Sequence, residues 1–156
     1  MPMSIEDDIR FLEQVSTLAL LGREPLRILA IGAESRYVHG GEILFRTGDT
    51  ADAAYVVQEG SFQLAPETQG DAGMTVGPGT LIGEMALLTE TKRPTTATAC
   101  EPSTVVRIPR TLFLKMLEGY PDAARRIRDS LLARTEQATR EMRKVRGKLG
   151  GTDGGK

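Results

Sequence analysis

The sequence of 156 residues is poor in the residues that build cross-links, metal sites and membrane spans. Its only cysteine is Cys100, so no disulfide framework closes within the chain, which suits a reducing, cytoplasmic setting. Cys100 falls in an apparent strand and reads as a small core residue. The only histidine, His39, lies beside Gly40 and Gly41. With no second histidine and the cysteine far away, a metal site is not expected, and His39 reads as a solvated turn residue. No apolar run approaches the roughly 20 residues that span a bilayer. Residues 1–8 are acidic and lack a basic n-region, so no signal peptide is expected. Nor is there a histidine near a serine or cysteine in a catalytic pattern, or a glycine-rich loop with a lysine. Asp49, Asp52 and Glu84 are the nearest thing to an acid–base set, and nothing in their spacing joins them. Neither an enzyme nor a resident cofactor is expected.

Two hydrophobic periods are present. In the first 34 residues the period is helical. Ser4 with Asp7 makes a capping box; Ile5, Ile9, Leu12 and Val15 follow at helical spacing. A run over 18–21 stops at Gly22. Pro25 suits the first turn of a further helix, with Leu26, Leu29 and Ala30 on one face and Gly32 at its end. From 35 to 110 the apolar runs become short, β-branched and separated by turns. Strands are expected at 36–39, 43–45, 54–58, 62–65, 74–76, 81–82, 95–100 and 104–108. Gly40-Gly41, Gly48-Asp49, Glu59-Gly60, Gly70-Asp71, Gly77-Pro78-Gly79 and Glu101-Pro102 are the breaks. About eight strands at this spacing indicate a sandwich or barrel. The polar stretch 66–73 reads as a mobile loop. A short amphipathic helix over 110–117 ends at Gly119. Pro121 then opens a long one to about 146, with Ala124, Ile127, Leu131, Ala138, Met142 and Val145 toward the core. Residues 149–156 read as a flexible glycine-rich tail.

The stretch 79–96 carries the chemistry. A glycine turn and a two-residue apolar run lead to Gly83 and Glu84, a short helical run follows from Met85, and Arg93 arrives soon after. Unpaired N–H groups at a helix start attract anions, and the arginine fork suits phosphate oxygens. The residues alone allow two readings: a phosphate seat with Glu84 turned to a sugar hydroxyl, or a turn in which Arg93 pairs with Glu84.

Gly-Glu-Met-Ala-Leu-Leu from Gly83, then Arg93, then Thr-Ala-Thr-Ala from Thr96 resembles the phosphate-binding cassette of the cyclic nucleotide-binding domain family. Residues 41–49, 54–60 and 77–79 resemble that family's strands and glycine turns, in the same order, and the resemblance runs from about 11 to 148. It implies a mainly β fold with flanking helices: an eight-stranded jelly-roll barrel over 35–110, N-terminal helices over 1–34 and C-terminal helices over 111–148. It implies a Crp/Fnr-like, non-enzymatic sensor for cAMP more than cGMP, with the site at Gly83, Glu84, Met85, Ala86, Arg93, Thr95 and Thr96. Glu84 would accept from the ribose 2′-hydroxyl, the Ala86 N–H would reach the cyclic phosphate, Arg93 would pair with its oxygens, and Thr95 and Thr96 would line the pocket. One position departs from the pattern. Where the family has a second phosphate-donating N–H, this chain has Pro94, which has none.

The 28 residues 121–148 carry nine Lys/Arg against four Asp/Glu, a net of +5, against −1 for the chain. This basic helix reads as a solvated face that attracts the acidic body or a second subunit; contact with nucleic acid or an anionic membrane is the other reading. No recognition helix of a helix-turn-helix domain follows it, so direct DNA binding is not expected. Output would pass to another protein, with a homodimer through the last helix as the interaction-module alternative to ligand sensing.

Overall fold

The computed structural model describes residues 4–67, 73–130 and 132–133. Three helices come first. α1 (Ile5–Glu13) starts where the Ser4 hydroxyl accepts from the Asp7 N–H at 3.1 Å, with the Asp7 carboxylate returning the bond at 3.4 Å. That capping box satisfies two of the donors a helix start leaves unpaired. α1 buries Ile9 and Leu12. α2 (Ser16–Ala19) is a single turn that buries Thr17 and Leu18. Gly22, at φ 87°, then reverses the chain into α3 (Arg23–Gly32), which buries Pro25, Leu26 and Leu29.

Ten strands follow: β1 (Glu34–Val38), β2 (Ile43–Phe45), β3 (Thr50–Ala51), β4 (Ala53–Glu59), β5 (Phe62–Ala65), β6 (Met74–Val76), β7 (Leu81–Ile82), β8 (Thr91–Lys92), β9 (Thr96–Ala99) and β10 (Ser103–Pro109). They form two four-stranded antiparallel sheets, ordered β1-β10-β4-β7 and β2-β9-β5-β6, and a small pair, β3-β8. This is the jelly-roll expected from the sequence. Two strands exceed the expected eight: β3 and β8, two residues each, which pair with each other and have no apolar alternation to announce them.

β10 leads directly into α4 (Arg110–Gly119), which buries Phe113 and Met116. Residues 121–130 form α5, burying Ala123 and Ile127. α5 is tied back to the N-terminal helices by Arg126, which donates from Nε to the Leu20 carbonyl at 2.6 Å and from Nη2 to that of Leu21 at 3.1 Å. Ala124 is only half-buried; one position earlier, Ala123 takes the deeper place, a full turn before Ile127. Leu131, Ala138, Met142 and Val145, residues 68–72 of the polar loop and the 149–156 tail lie outside the described residues.

Two cores result. On the helical side, Ile9, Leu12, Leu18, Leu26, Leu29, Phe113 and Ile127 pack against Ala54, Val56 and Ile108. Between the sheets lie Phe45, Tyr55, Val57, Phe62, Ile82, Ala97, Ala99 and Val105. β4 supplies alternate residues to both, as the two-residue period of a strand requires. With both faces covered it reads in sequence as the unbroken run Ala-Ala-Tyr-Val-Val.

Cys100 is a correction. It is exposed, because the ladder ends at Ala99 and the chain turns away toward Glu101 and Pro102. His39 is exposed too, its ring edge-on to Tyr37 at 4.7 Å.

Candidate functional site

Arg93 sits just beyond β8, and its backbone is locked. Its N–H donates to the Asp49 carbonyl and its carbonyl accepts from the Gly48 N–H, both at 2.8 Å. The Gly48-Asp49 turn thus fixes where the arginine leaves the chain. Its side chain runs inward and is 4% exposed. The guanidinium carbon lies 4.3 Å from the centre of the Phe45 ring and 5.5 Å from that of Tyr55. Those rings stack at 6.0 Å and 27°. Nη2 donates to the Ala53 carbonyl at 2.6 Å, whereas Nη1 is buried without a hydrogen-bond partner. Burial lowers the pKa of the guanidinium, countered by Tyr55, Asp52 and Asp49. An arginine keeps its proton in either case, so the site holds a buried cation with one donor unspent. Leaving such a donor unsatisfied costs about 1–3 kcal/mol or more.

Gly83 faces this group. It is left-handed, at φ 77° and ψ 41°, and a Cβ there would collide with Arg93 Nη1. Both the backbone angle and the neighbour demand glycine. A 3₁₀ helix, Glu84–Leu87, follows. Ala86 is fully buried, and its N–H donates to the Gly83 carbonyl at 3.0 Å. Met85 points outward and is 49% exposed.

Ala97 and Ala99 face the barrel interior, so Thr96, which opens β9, takes the other side; Thr95 precedes the strand and is half-buried. The Thr96 hydroxyl accepts from the Thr47 N–H at 3.0 Å and donates to Glu67 at 3.1 Å. Glu84 leans toward the helical side, where its carboxylate accepts from the Thr17 hydroxyl of α2 at 3.0 Å. There it lines a groove of about 440 Å³ with Val15, Thr17, Gly79, Thr80 and Leu81. Among the described residues no carboxylate comes within ion-pair distance of Arg93, so the Glu84–Arg93 pair left open by the sequence is not formed. The structure therefore brings Gly83 and Arg93 together and points Glu84, Met85 and Thr96 elsewhere. The sequence reading missed Phe45, Tyr55 and Thr17. Phe45, the last residue of the short apolar run 43–45, was open to detection; Tyr55, inside a run buried on both faces, and Thr17, 67 positions from Glu84, were not. Among the described residues no group of histidine, cysteine and carboxylates forms a metal cluster, and no helix is long and apolar enough to cross a membrane.

The chain is thus a jelly roll with flanking helices that buries an arginine against a glycine turn. The family model of the cyclic nucleotide-binding domain matches residues 35–120, more than half of the chain, and the chain belongs to that family. It is 42% identical to a cyclic nucleotide-binding-like protein from Brucella abortus, covering 72% of this chain and 98% of that one, with a TM-score of 0.65. The N-terminal domain of a transcriptional regulator from Streptomyces coelicolor is 25% identical, with a TM-score of 0.77 over 85% of this chain and 94% of that one. Lysophospholipase nte1 of Neurospora crassa is 39% identical over 101 residues, 62% of this chain. The chain spans only 7% of that protein's length.

Proposed function

We propose that the chain is a regulatory module that binds a cyclic nucleotide, cAMP in preference to cGMP, through a cassette of Gly83, Glu84, Met85, Ala86, Arg93, Thr95 and Thr96, and that it signals to a partner protein in the cytoplasm. One observation carries this reading. A cation 4% exposed, with Nη1 unpartnered, is aimed at the glycine that opens the cassette. A cyclic phosphate oxygen would satisfy that donor with a charge-assisted bond. For the sugar to be read as in the family, the Glu84 carboxylate, which accepts from Thr17 through Oε2, must present an oxygen to the ribose 2′-hydroxyl. Calorimetric titration with cAMP and cGMP, repeated on Arg93→Ala, tests the reading: saturable binding is expected in the wild type and its loss in the variant. Equal affinity in both proteins removes the phosphate role of Arg93.

A second reading has its own observation. Glu84 bonds to α2, outside the barrel, and Pro94 supplies no N–H, as befits a cassette turned to protein contact, with dimerisation through the last helix. Absence of binding at millimolar cAMP and cGMP, with a dimer in sedimentation, selects it.

A further inference from the structure

Arg110, the first residue of α4, makes more backbone contacts than a helix start requires. Its Nη1 donates to the carbonyls of Ala51 at 2.9 Å, Ala86 at 3.2 Å and Thr89 at 3.2 Å, and its own N–H donates to that of Asp52 at 2.8 Å. Two protons serve three acceptors at Nη1, so at least one bond is shared. Ala86 and Thr89 belong to the cassette: the first lies in its 3₁₀ helix and the second just beyond it, where carbonyls are left without partners inside the helix. A cation placed there both bonds those carbonyls and complements the helix dipole.

The other two acceptors lead to Arg93. The carbonyls of Ala51, Asp52 and Ala53 follow one another at the junction of β3 and β4. Arg110 holds the first two, and Arg93 holds the third from inside the barrel at 2.6 Å. The two arginines thus hold successive carbonyls of one junction, and Arg110 also bonds to the 3₁₀ helix of the cassette.

We propose that Arg110 is a positioning residue for the ligand seat: it fixes the cassette relative to the junction on which Arg93 rests, and so sets the separation between Gly83 and the guanidinium. The proposal rests on the phosphate role of Arg93 for its effect on affinity but not for its effect on the cassette itself, and two measurements keep these apart. The first is amide hydrogen exchange in the full chain without ligand. In Arg110→Ala, amides of 83–89 should exchange at least about tenfold faster while those of β5 and β9 keep their wild-type protection. A uniform rise across the chain, or none, overturns the proposal. The second is cAMP titration well below the melting temperature of each variant. Arg110→Ala should weaken binding by about tenfold or more, the scale of one charged hydrogen bond. Arg110→Lys, which keeps the charge and can reach one carbonyl, should recover part of that loss. Unchanged affinity in a folded Arg110→Ala protein overturns the proposal and leaves the phosphate reading standing. If the wild type binds neither nucleotide, the phosphate reading fails and the exchange pattern alone decides whether Arg110 positions the cassette.

Discussion

The two cores share β4 and differ in nearly everything else. On the helical side, leucines, isoleucines, Phe113 and Met116 pack from five helices, and among the described residues no charged group is buried with them. Between the sheets the side chains are smaller or aromatic, and a guanidinium sits among them with a donor unpaired. One strand alternates between these environments, Ala54 and Val56 to the first, Tyr55 and Val57 to the second. The helical core is arranged for cohesion. The barrel core carries a desolvated charge, a cost of the kind that concentrates where a ligand acts. If the proposed phosphate role of Arg93 holds, stability and recognition fall to opposite faces of the same backbone.

That division can be broken from either side. The largest effect should come from Leu29→Ala in the helical core, where the side chain is fully buried. It should lower unfolding free energy by about 2–5 kcal/mol in urea titration, while cAMP affinity measured in the folded range stays within about twofold; a matching loss of affinity would mean the two faces are not separable. Arg93→Ala inverts the pattern. Affinity should fall about 10- to 150-fold, with stability moving by no more than about 1 kcal/mol, since the lost bond to Ala53 is offset by relief of a buried, unpaired donor. A stability loss near that of Leu29→Ala would mark Arg93 as structural. Gly83→Ala should strike both properties at once. Its positive φ and the collision with Arg93 together cost about 1–3 kcal/mol, readable as a lower melting temperature and a weaker titration. Smallest is Pro94→Ala. Freedom returned to the unfolded chain costs about 0.4–1 kcal/mol, and affinity for cAMP should rise if the restored N–H reaches the phosphate. A fall in affinity would show that proline shapes the loop rather than merely lacking a donor.

The same contrast explains what the sequence made legible. Helical period, the Ser4–Asp7 box and the glycine breaks act within a few residues, so the helices and most strands could be read directly. Gly83 and Arg93 were legible through the resemblance of 83–96 to the family's cassette, since the residues alone left a structural turn as a second reading. The orientation of Glu84 was not, since its partner Thr17 is set by the docking of α2. β3 and β8 were hidden because Thr50-Ala51 and Thr91-Lys92 form no apolar run, unlike the equally short Leu81-Ile82 of β7. Their pairing is imposed by the turn at Gly48-Asp49, whose bonds to Arg93 span more than forty positions. Cys100 was misplaced by one residue of strand, enough to carry it from the core face to solvent.

The Arg126 clasp on Leu20 and Leu21 joins segments 106 and 105 positions apart, and every strand of the barrel lies in the loop it closes. Closing so long a loop costs the most entropy before the intervening chain has condensed, so the contact belongs to the end of folding. α5 is then the last described element to dock, and in the native state its joint at Tyr120 should be among the first to open. The chain has no tryptophan, so Tyr120→Trp would place a single tryptophan, selectively excitable at long wavelength, at that joint. Its signal should lag the recovery of β-sheet absorption during refolding, and the barrel would complete itself before the helix that locks it arrives.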